Sequence, residues 1–297
     1  MARGMHWLTR QVWLLLLCWA AGVTAAPGLW SVNDAQGRVR AYLFGTIHLC
    51  RADCFPLPGE VRWALERSDR LAVELDVADP QVITTVVAAG SLPQGQRLDA
   101  LLPPELVHEL AHAAERLQLP PESLQGMQPW FAGTVLVSTA AARAGYGADT
   151  GVDMALQGMA RLAGKPLVSL ETAERQVRAM AAGGEGAQRE ALRQTVDMVN
   201  SGEISAYLGR MIAAWRDGDG ERLLALMGEG MDEKTAAPLM DDLLVARNRE
   251  MAHRIDGLLG EPGILFVAIG SGHLFGRDSV PAELARLGWR VDRVVDR

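Results

Sequence analysis

Two stretches near opposite ends of the 297-residue chain each carry a histidine three positions after a glycine. His48 follows Gly45, and His273 follows Gly270, in both cases at the end of an apolar, strand-favouring run. Glycine permits a tight exit or a close approach of backbones, and ligands bind at the carboxyl edge of open α/β sheets. The pair therefore predicts two imidazoles at one sheet edge, as two ligands of a divalent cation or as one ligand and one general base. The alternative is that both histidines only cap strand ends by hydrogen bonding to the backbone.

A carboxylate closes a third apolar run, because Glu74 follows residues 71–73. Beside two histidines it would be a third metal ligand or the base that activates a metal-bound water, whereas alone it would be an ordinary solvated residue. Asp76 competes for this role, since alternation along a strand predicts that its side chain lies on the same face as that of Glu74. We favour Glu74 because it lies closer to the buried run.

Two cysteines, Cys50 and Cys54, come directly after His48. In an oxidising compartment, a cysteine pair four residues apart is most simply a local disulfide. So short a loop gains little entropy from cross-linking, and its expected effect is to stiffen the segment after His48. The alternative interpretation makes both thiols metal ligands beside His48.

Residues 108–112 match the zincin pattern, with two histidines one helical turn apart and Glu109 next to His108. On a helix with roughly 100° between residues, the two histidines lie opposite the apolar face that contains Leu106 and Leu110, and Glu109 flanks them. A zincin helix is packed in the core with its histidines facing a cleft, but here His108 and His112 share the charged side. The sequence favours a solvated helix, and the zincin site stays as a rival hypothesis.

The spacing of apolar residues predicts a sheet built from both ends of the chain. Strands are predicted at 29–32, 40–47, 70–76, 166–170, 264–269 and 290–295. Almost all of the segment from about 80 to 261 reads as helical, which indicates a large helical insertion between the strands. We therefore predict the α+β class with a mixed central sheet. Helices are predicted from about 58, and at 80–90, 103–118, 129–143, 150–163, 171–182, 186–200, 203–216, 219–228, 238–259 and 280–287.

Residues 1–25 have the features of a signal peptide, with arginines at the start, a short apolar core and small residues before Ala26. Residues 26–297 are then expected to form a single domain. The apolar run is too short for a comfortable membrane span, so we expect an exported protein in the periplasm or the extracellular space. The alternative is an uncleaved leader that acts as a membrane anchor. The net charge of −7 and the lack of a Lys/Arg stripe argue against a nucleic acid as partner.

Several other polar residues have ordinary interpretations when the sequence is taken alone. Arg247 and Asn248 lie in a long amphipathic helix and are read as part of its solvated face. Asp153 and Thr172 are typical of helix starts, one in a first turn and one as a cap. His253 is interpreted as an ordinary surface or capping histidine.

The order and spacing of the motifs over residues 26–297 resemble the TraB/PrgY/GumN family, which includes the animal Tiki proteins. The segments that carry the resemblance are Tyr42-Leu43-Phe44-Gly45-Thr46-Ile47-His48, Val73-Glu74-Leu75-Asp76, Gln128-Pro129-Trp130, Gly151-Val152-Asp153, Gly164-Lys165-Pro166, Leu170-Glu171-Thr172 with Gln176, Trp215-Arg216-Asp217-Gly218-Asp219, Arg247-Asn248 and Gly270-Ser271-Gly272-His273-Leu274.

The resemblance implies a metal-dependent hydrolase, because Tiki relatives are described as metalloproteases that use manganese- or cobalt-type ions. Carried over to this chain, the working residues are His48, Glu74 and His273. The resemblance also makes Arg247 and Asn248 candidates for supporting the ligands or stabilising an oxyanion. Similarity to the haem-binding ChaN and erythromycin-esterase folds keeps haem binding and ester hydrolysis open.

Taken together, the residues and the resemblance predict an exported hydrolase that acts on a peptide or on a small-molecule ester or amide. Its cofactor would be one divalent metal, Mn(II), Co(II) or Zn(II). The alternative function is a non-enzymatic protein of the same fold that binds haem or a peptide signal. That protein would use the same two histidines.

Overall fold

The computed structural model describes residues 27–230 and 240–294. The predicted leader, residues 1–25, lies outside these described residues. Among them, no helix is both long and apolar enough to cross a membrane. The strands are β1 (Leu29–Asn33), β2 (Val39–Thr46), β3 (Arg70–Val73), β4 (Leu167–Ser169), β5 (Leu265–Gly270) and β6 (Arg290–Arg293).

These strands form one mixed sheet with the order β4-β3-β5-β2-β1-β6. Strands β4, β3, β5 and β2 are parallel neighbours, and β1 and β6 extend the sheet in the antiparallel direction. The C-terminal strand β5 therefore lies between β3 and β2, which come from the first quarter of the chain. The predicted α+β fold, with a mixed sheet made from both chain ends, is confirmed. The assignment of residues 26–297 to one domain stays a prediction.

The segment between β3 and β5 is mostly helical, as predicted. A π-helical turn at Asp241–Val245 leads directly into the long helix at Ala246–Leu259, a feature that the apolar spacing did not indicate. Such turns are rare and occur often at functional sites. The α-helices are α1 (Gly59–Arg67), α2 (Pro80–Gly90), α3 (Pro104–Arg116), α4 (Pro129–Arg143), α5 (Val152–Leu162), α6 (Ala173–Met180), α7 (Gly184–Ser201), α8 (Ile204–Arg216), α9 (Gly220–Met227), α10 (Ala246–Leu259) and α11 (Val280–Arg286).

The central strands are buried on both faces, which explains why they read as continuous apolar runs. Alternate residues face opposite cores: Phe44 and Phe266 belong to the larger cluster, while Leu43 and Val267 belong to the cluster covered by α10 and α11. Trp215 packs in the larger core, and its indole donates a 2.8 Å hydrogen bond to the carbonyl oxygen of Gly45. The helical segment thus anchors the strand end that carries the first Gly-x-x-His motif.

The two Gly-x-x-His motifs contact one another at the ends of β2 and β5. A Cβ atom on Gly45 would lie 2.6 Å from Oγ and 3.2 Å from Cα of Ser271, so no larger residue fits there without movement. The Ser271 hydroxyl donates a 2.8 Å hydrogen bond to the carbonyl oxygen of Thr46, which ties the two strand ends together. Glycine at position 45 is therefore needed for the close approach that the sequence suggested.

Replacing Gly45 with alanine is expected to destabilise the protein by about 1–3 kcal/mol, because the new methyl group overpacks a buried contact. The measurement is urea unfolding followed by circular dichroism. Gly257→Ala is the matched control, since a Cβ atom at Gly257 meets no atom within 4 Å. The control is expected to leave stability unchanged or to raise it slightly. Equal stability of Gly45→Ala and the native protein would contradict the close packing of the two motifs.

Candidate active site

The three sequence-predicted ligands lie side by side, because β2, β5 and β3 are parallel neighbours that end at the same edge. The position that a Cβ atom on Gly270 would take is 3.1 Å from Oε1 of Glu74, 3.7 Å from Cδ2 of His273 and 3.8 Å from Nε2 of His48. Nε2 of His273 lies 3.9 Å from Oε1 of Glu74. The structure therefore brings His48, Glu74 and His273 around one point, above a glycine whose missing side chain leaves the space.

His48 is oriented by Asp153 in the first turn of α5. Its Nδ1 atom lies 2.9 Å from Oδ2 of Asp153, and the other carboxylate oxygen accepts a hydrogen bond from the hydroxyl of Thr46. Since a carboxylate only accepts, Nδ1 carries a proton and Nε2 faces the cavity. The charge of Asp153, with a smaller contribution from Glu74, raises the pKa of His48 to about 9. The side chain of His48 is nevertheless 68% exposed and therefore accessible from solvent.

The start of α5 is fixed against the loop that carries His48. Val152 donates a 2.9 Å backbone hydrogen bond to the carbonyl oxygen of Ile47. A Cβ atom on Gly151 would lie 2.3 Å from the carbonyl oxygen of His48, so only glycine permits this approach. Asp153 is thereby held beside the imidazole. The sequence predicted only its place in a first helical turn, and this pairing was missed.

Replacing Asp153 with asparagine is expected to lower the pKa of His48 from about 9 towards its ordinary value of 6.5, because the amide carries no charge. The measurement is an NMR titration of the histidine side chains in metal-free protein. In the native protein, the second proton of the His48 ring, on Nε2, is expected to be lost as the pH rises through about 9, and in Asp153→Asn at a lower pH, closer to 6.5. His253, which is exposed on α10, serves as an internal reference. Identical titration of His48 in both proteins would contradict the assigned pairing.

His273 is buried and held in one tautomer by Asn248. The side-chain nitrogen of Asn248 donates a 2.7 Å hydrogen bond to the carbonyl oxygen of Asp278, which directs its Oδ1 atom towards the imidazole. Oδ1 then accepts a 2.6 Å hydrogen bond from Nδ1 of His273, so Nε2 carries the lone pair. Burial lowers the pKa of His273 to about 4, and the ring is neutral at physiological pH.

Glu74 is buried and has hydrogen bonds to both carboxylate oxygens. Oε1 accepts a 2.7 Å bond from the backbone of Gly270. Oε2 accepts bonds of 2.6 Å from Arg247 and 3.2 Å from Gln176. Burial alone would raise the pKa of Glu74, but the nearby positive charges of His273, Arg247 and His48 outweigh it and lower the pKa. Because His273 is neutral near pH 7, Arg247 and the protonated His48 supply this effect at that pH.

Arg247 joins two buried carboxylates. Its guanidinium binds both oxygens of Glu171, at 2.8 and 2.6 Å, in addition to Glu74 and the carbonyl oxygen of Leu243. Burial raises the pKa of Glu171, and the bonds to Arg247 oppose that rise. The interpretation of Arg247 and Asn248 as a solvated helix face is wrong, since both are buried. Because one side of α10 packs against the sheet, Arg247 and Asn248 lie on its buried side.

The described residues enclose a cavity of about 270 Å³ at this edge of the sheet. His48, Glu74, Arg247 and His273 line one side of it, and the remainder is largely apolar. No group of three His, Cys, Asp or Glu side chains within the described ranges has the geometry of a ready metal site. The apolar lining includes Met180, Met211, Leu223, Met227, Leu243 and Leu244.

Asp76 does not share the face of Glu74. Its carboxylate binds Arg161 on α5 and the backbone of Ala78. The prediction of a shared face is wrong because β3 ends at Val73, and the alternation of an extended strand does not continue beyond it. Glu74 is therefore the carboxylate of this strand end that reaches the cavity.

The sulfur atoms of Cys50 and Cys54 lie at disulfide-bonding distance, with their Cα atoms 6.4 Å apart. This arrangement favours the predicted disulfide over thiolate metal ligands. Cys50 also pairs with the backbone of Gly147 in a short bridge, which links the loop after His48 to the segment before α5.

The zincin-like residues lie elsewhere. His108 and His112 are exposed on α3, as predicted, and line a separate surface pocket of about 680 Å³ with Glu115. Nδ1 of His112 is bound to Asn200 at 3.0 Å. Among the described residues, His108, His112 and Glu115 do not form a group that could hold a metal ion. The helix-start residue Thr172 caps α6 as predicted, with its hydroxyl accepting from Arg175.

The partners missed by the sequence analysis are Asp153, Glu171, Thr46 and Gln176. All four belong to segments that carry the family resemblance, which is their only signal in the sequence. The local sequence is identical whether an acidic residue in the first turn of a helix, or just before a cap, interacts with the helix or with a side chain far away in the sequence.

The model of the TraB/PrgY/gumN family matches residues 28–293, and the chain belongs to this family. It is 27% identical over 250 residues to the uncharacterized protein YbaP of Escherichia coli K12, covering 84% of this chain and 89% of YbaP. It is 23% identical to metalloprotease TIKI1 of zebrafish, covering 85% of this chain and 60% of TIKI1. A shorter match, 34% identical, covers 28% of this chain and 16% of zebrafish metalloprotease TIKI2. No solved structure matches the chain.

Proposed function

We propose that this protein is a metal-dependent hydrolase of amide or ester bonds, with peptides as its main substrates. The observation that carries the proposal is the matched arrangement of the two histidines. Nδ1 of His48 binds Asp153, Nδ1 of His273 binds Asn248, and both rings and the carboxylate of Glu74 lie within 4 Å of the position that a Cβ atom on Gly270 would take. Metal-binding histidines usually use one ring nitrogen for the ion and donate from the other to a fixed acceptor.

The donor set fits a divalent cation. Nε2 of His48, Nε2 of His273 and Oε1 of Glu74 would hold it, and imidazole with carboxylate suits Mn(II), Co(II) or Zn(II). Bound there, the cation would polarise a substrate carbonyl and favour ionisation of a water molecule. The family relatives TIKI1 and TIKI2 carry the name metalloprotease, which supports peptide bonds as the target.

The surroundings of Glu74 favour a role as ligand over a role as general base. Its pKa is lowered, and a general base works best with a pKa near the operating pH. Arg247 and Gln176 hold its outer oxygen, so Oε1 stays directed towards the two histidines. The amide of Asn248 is bonded at both ends, so we assign it the role of positioning His273 rather than that of stabilising an oxyanion.

The proposal is tested by incubating purified protein with a peptide library and following cleavage by mass spectrometry. Cleavage is expected with Mn(II), Co(II) or Zn(II), and chelator should abolish it. Glu109→Gln tests the rival zincin site and is expected to keep full activity. A Soret band that appears with haem and is lost in His48→Ala and His273→Ala, without cleavage of any peptide, would instead support the non-enzymatic binder.

We also propose that the protein is exported, on the basis of the leader-like residues 1–25. Fractionation of cells that express the full chain, with N-terminal sequencing of the product, tests this directly. A soluble product that begins near Ala26 supports export. A membrane-bound product that retains its leader would show that the leader acts as an anchor.

A further inference from the structure

A second, larger cavity of about 540 Å³ lies next to the candidate active site. It runs between α4 and α7 and shares His48, Met180 and Leu243 with the first cavity. We call it the α4–α7 groove. Because the groove reaches His48, a molecule whose carbonyl lies between the two histidines could extend a side group into it. Its other lining residues come mainly from the facing sides of α4 and α7, among them Trp130, Gly133, Thr134, Ser138, Leu192 and Thr195.

The groove offers an apolar surface. The hydroxyl of Thr134 donates to the carbonyl oxygen of Trp130 at 3.0 Å, and the hydroxyl of Thr195 donates to that of Ala191 at 3.0 Å. Both threonines satisfy their hydroxyl groups within their own helices. Among the described residues that line the groove, His48 at its inner end is the one ionisable side chain. Among the described residues, the groove therefore provides no charged partner for a ligand group except His48.

Small residues set the width of the groove. A Cβ atom on Gly133 would lie 3.7 Å from Oγ1 of Thr195 and 3.9 Å from Cδ1 of Leu192, which are ordinary contact distances. Position 133 thus accepts a methyl group at ordinary contact distances, although glycine in the middle of a helix is less stable than alanine. Volumes of this size accommodate small-molecule or side-chain groups in other proteins.

We propose that the α4–α7 groove is the specificity subsite of the hydrolase and binds a large apolar side chain, aromatic or aliphatic, on the residue next to the scissile peptide bond. This inference rests on the proposed function, since it takes His48 as the point where the two cavities meet. The indole of Trp130 supplies a flat apolar contact for such a side chain. A charged side chain would lose its hydration there without gaining a partner.

The test uses capped peptides that differ only at the residue next to the scissile bond. This residue is alanine, leucine, phenylalanine, aspartate or lysine. In the presence of Mn(II), kcat/KM is expected to be at least about tenfold higher for phenylalanine or leucine than for alanine, and lowest for the charged residues. Gly133→Leu, which fills the groove, should remove the preference while cleavage of the alanine peptide continues. Ser138→Trp, at an exposed position on the same side of α4, is the second filling variant. Gly257→Leu is the control, because its side chain would point into open space.

A binding measurement separates this inference from the proposed function. Calorimetry with N-acetyl-phenylalanine amide and N-acetyl-alanine amide is expected to show tighter binding of the phenylalanine compound, lost in Gly133→Leu and kept in Gly257→Leu. That result without peptide cleavage would uphold the subsite and refute the hydrolase. Cleavage that is equally fast for all side chains and insensitive to Gly133→Leu and Ser138→Trp would overturn the subsite and leave the hydrolase standing.

Discussion

Replacing Arg247 with alanine is expected to lower the free energy of unfolding by about 3–5 kcal/mol, because two buried carboxylates lose their cation. The side chains of Arg247, Glu74 and Glu171 are 7%, 9% and 1% exposed, so water cannot replace the lost charge. Chemical denaturation at pH 7 measures the loss. Arg247→Lys should recover only part of it, since an ammonium group cannot bind both oxygens of Glu171 while also reaching Glu74.

Arg249→Ala is the matched control on the same helix. The side chain of Arg249 is 60% exposed and lies 3.7 Å from Glu283, a pair expected to contribute less than about 1 kcal/mol. The loss in Arg247→Ala should also depend on pH. Without the cation, the pKa of Glu171 rises further and the pKa of Glu74 is no longer lowered by Arg247, so the folded variant binds more protons than the folded native protein, and the loss of stability grows as the pH increases. A loss no larger than that of Arg249→Ala would contradict the buried network.

Replacing His48 with alanine is expected to reduce kcat/KM for peptide cleavage by about 1000-fold or more. Loss of a ligand removes the cation, which contributes several kcal/mol to stabilising charge in the transition state. The fold should be little affected, with a change in stability below about 1 kcal/mol, because the His48 side chain is 68% exposed. Steady-state kinetics and metal analysis of the purified variant provide the measurement.

Three further variants make this result specific. His253→Ala, which removes an exposed histidine on α10, should keep full activity and metal content. Asn248→Ala should weaken metal binding by about 10–100-fold without abolishing it, because it frees the ring of a ligand rather than deleting the ligand. Asp153→Ala should act in the same way through His48. Full activity of His48→Ala would remove this residue from the proposed mechanism.

Most of the fold follows from local patterns in the sequence. The apolar runs that become β2, β3 and β5 are strands because they are buried on both faces, and the proline and glycine positions mark most helix ends within a few residues. The order of the strands does not follow from these patterns. That β5 lies between β3 and β2 depends on pairing between residues about 200 positions apart, such as Val73 with Ala268.

For the candidate site too, local sequence patterns predict some of the residues and not others. His48, Glu74 and His273 could be found because each follows an apolar strand directly, and parallel strands end at one edge. Asp153 and Glu171 were missed because their partners, His48 and Arg247, lie far away in the sequence. Asp76 was wrongly expected to share the face of Glu74 because the end of β3 depends on pairing with β4 and β5, which local alternation does not reveal.

The central claim is that the two Gly-x-x-His motifs and Glu74 bind one divalent cation together. A crystal structure of the protein grown with Mn(II), with anomalous scattering recorded to locate the ion, tests this most directly. The predicted result is a single strong peak within bonding distance of Nε2 of His48, Nε2 of His273 and Oε1 of Glu74. A peak at His108 and His112 instead, or no peak between the two motif histidines at saturating Mn(II), would contradict it.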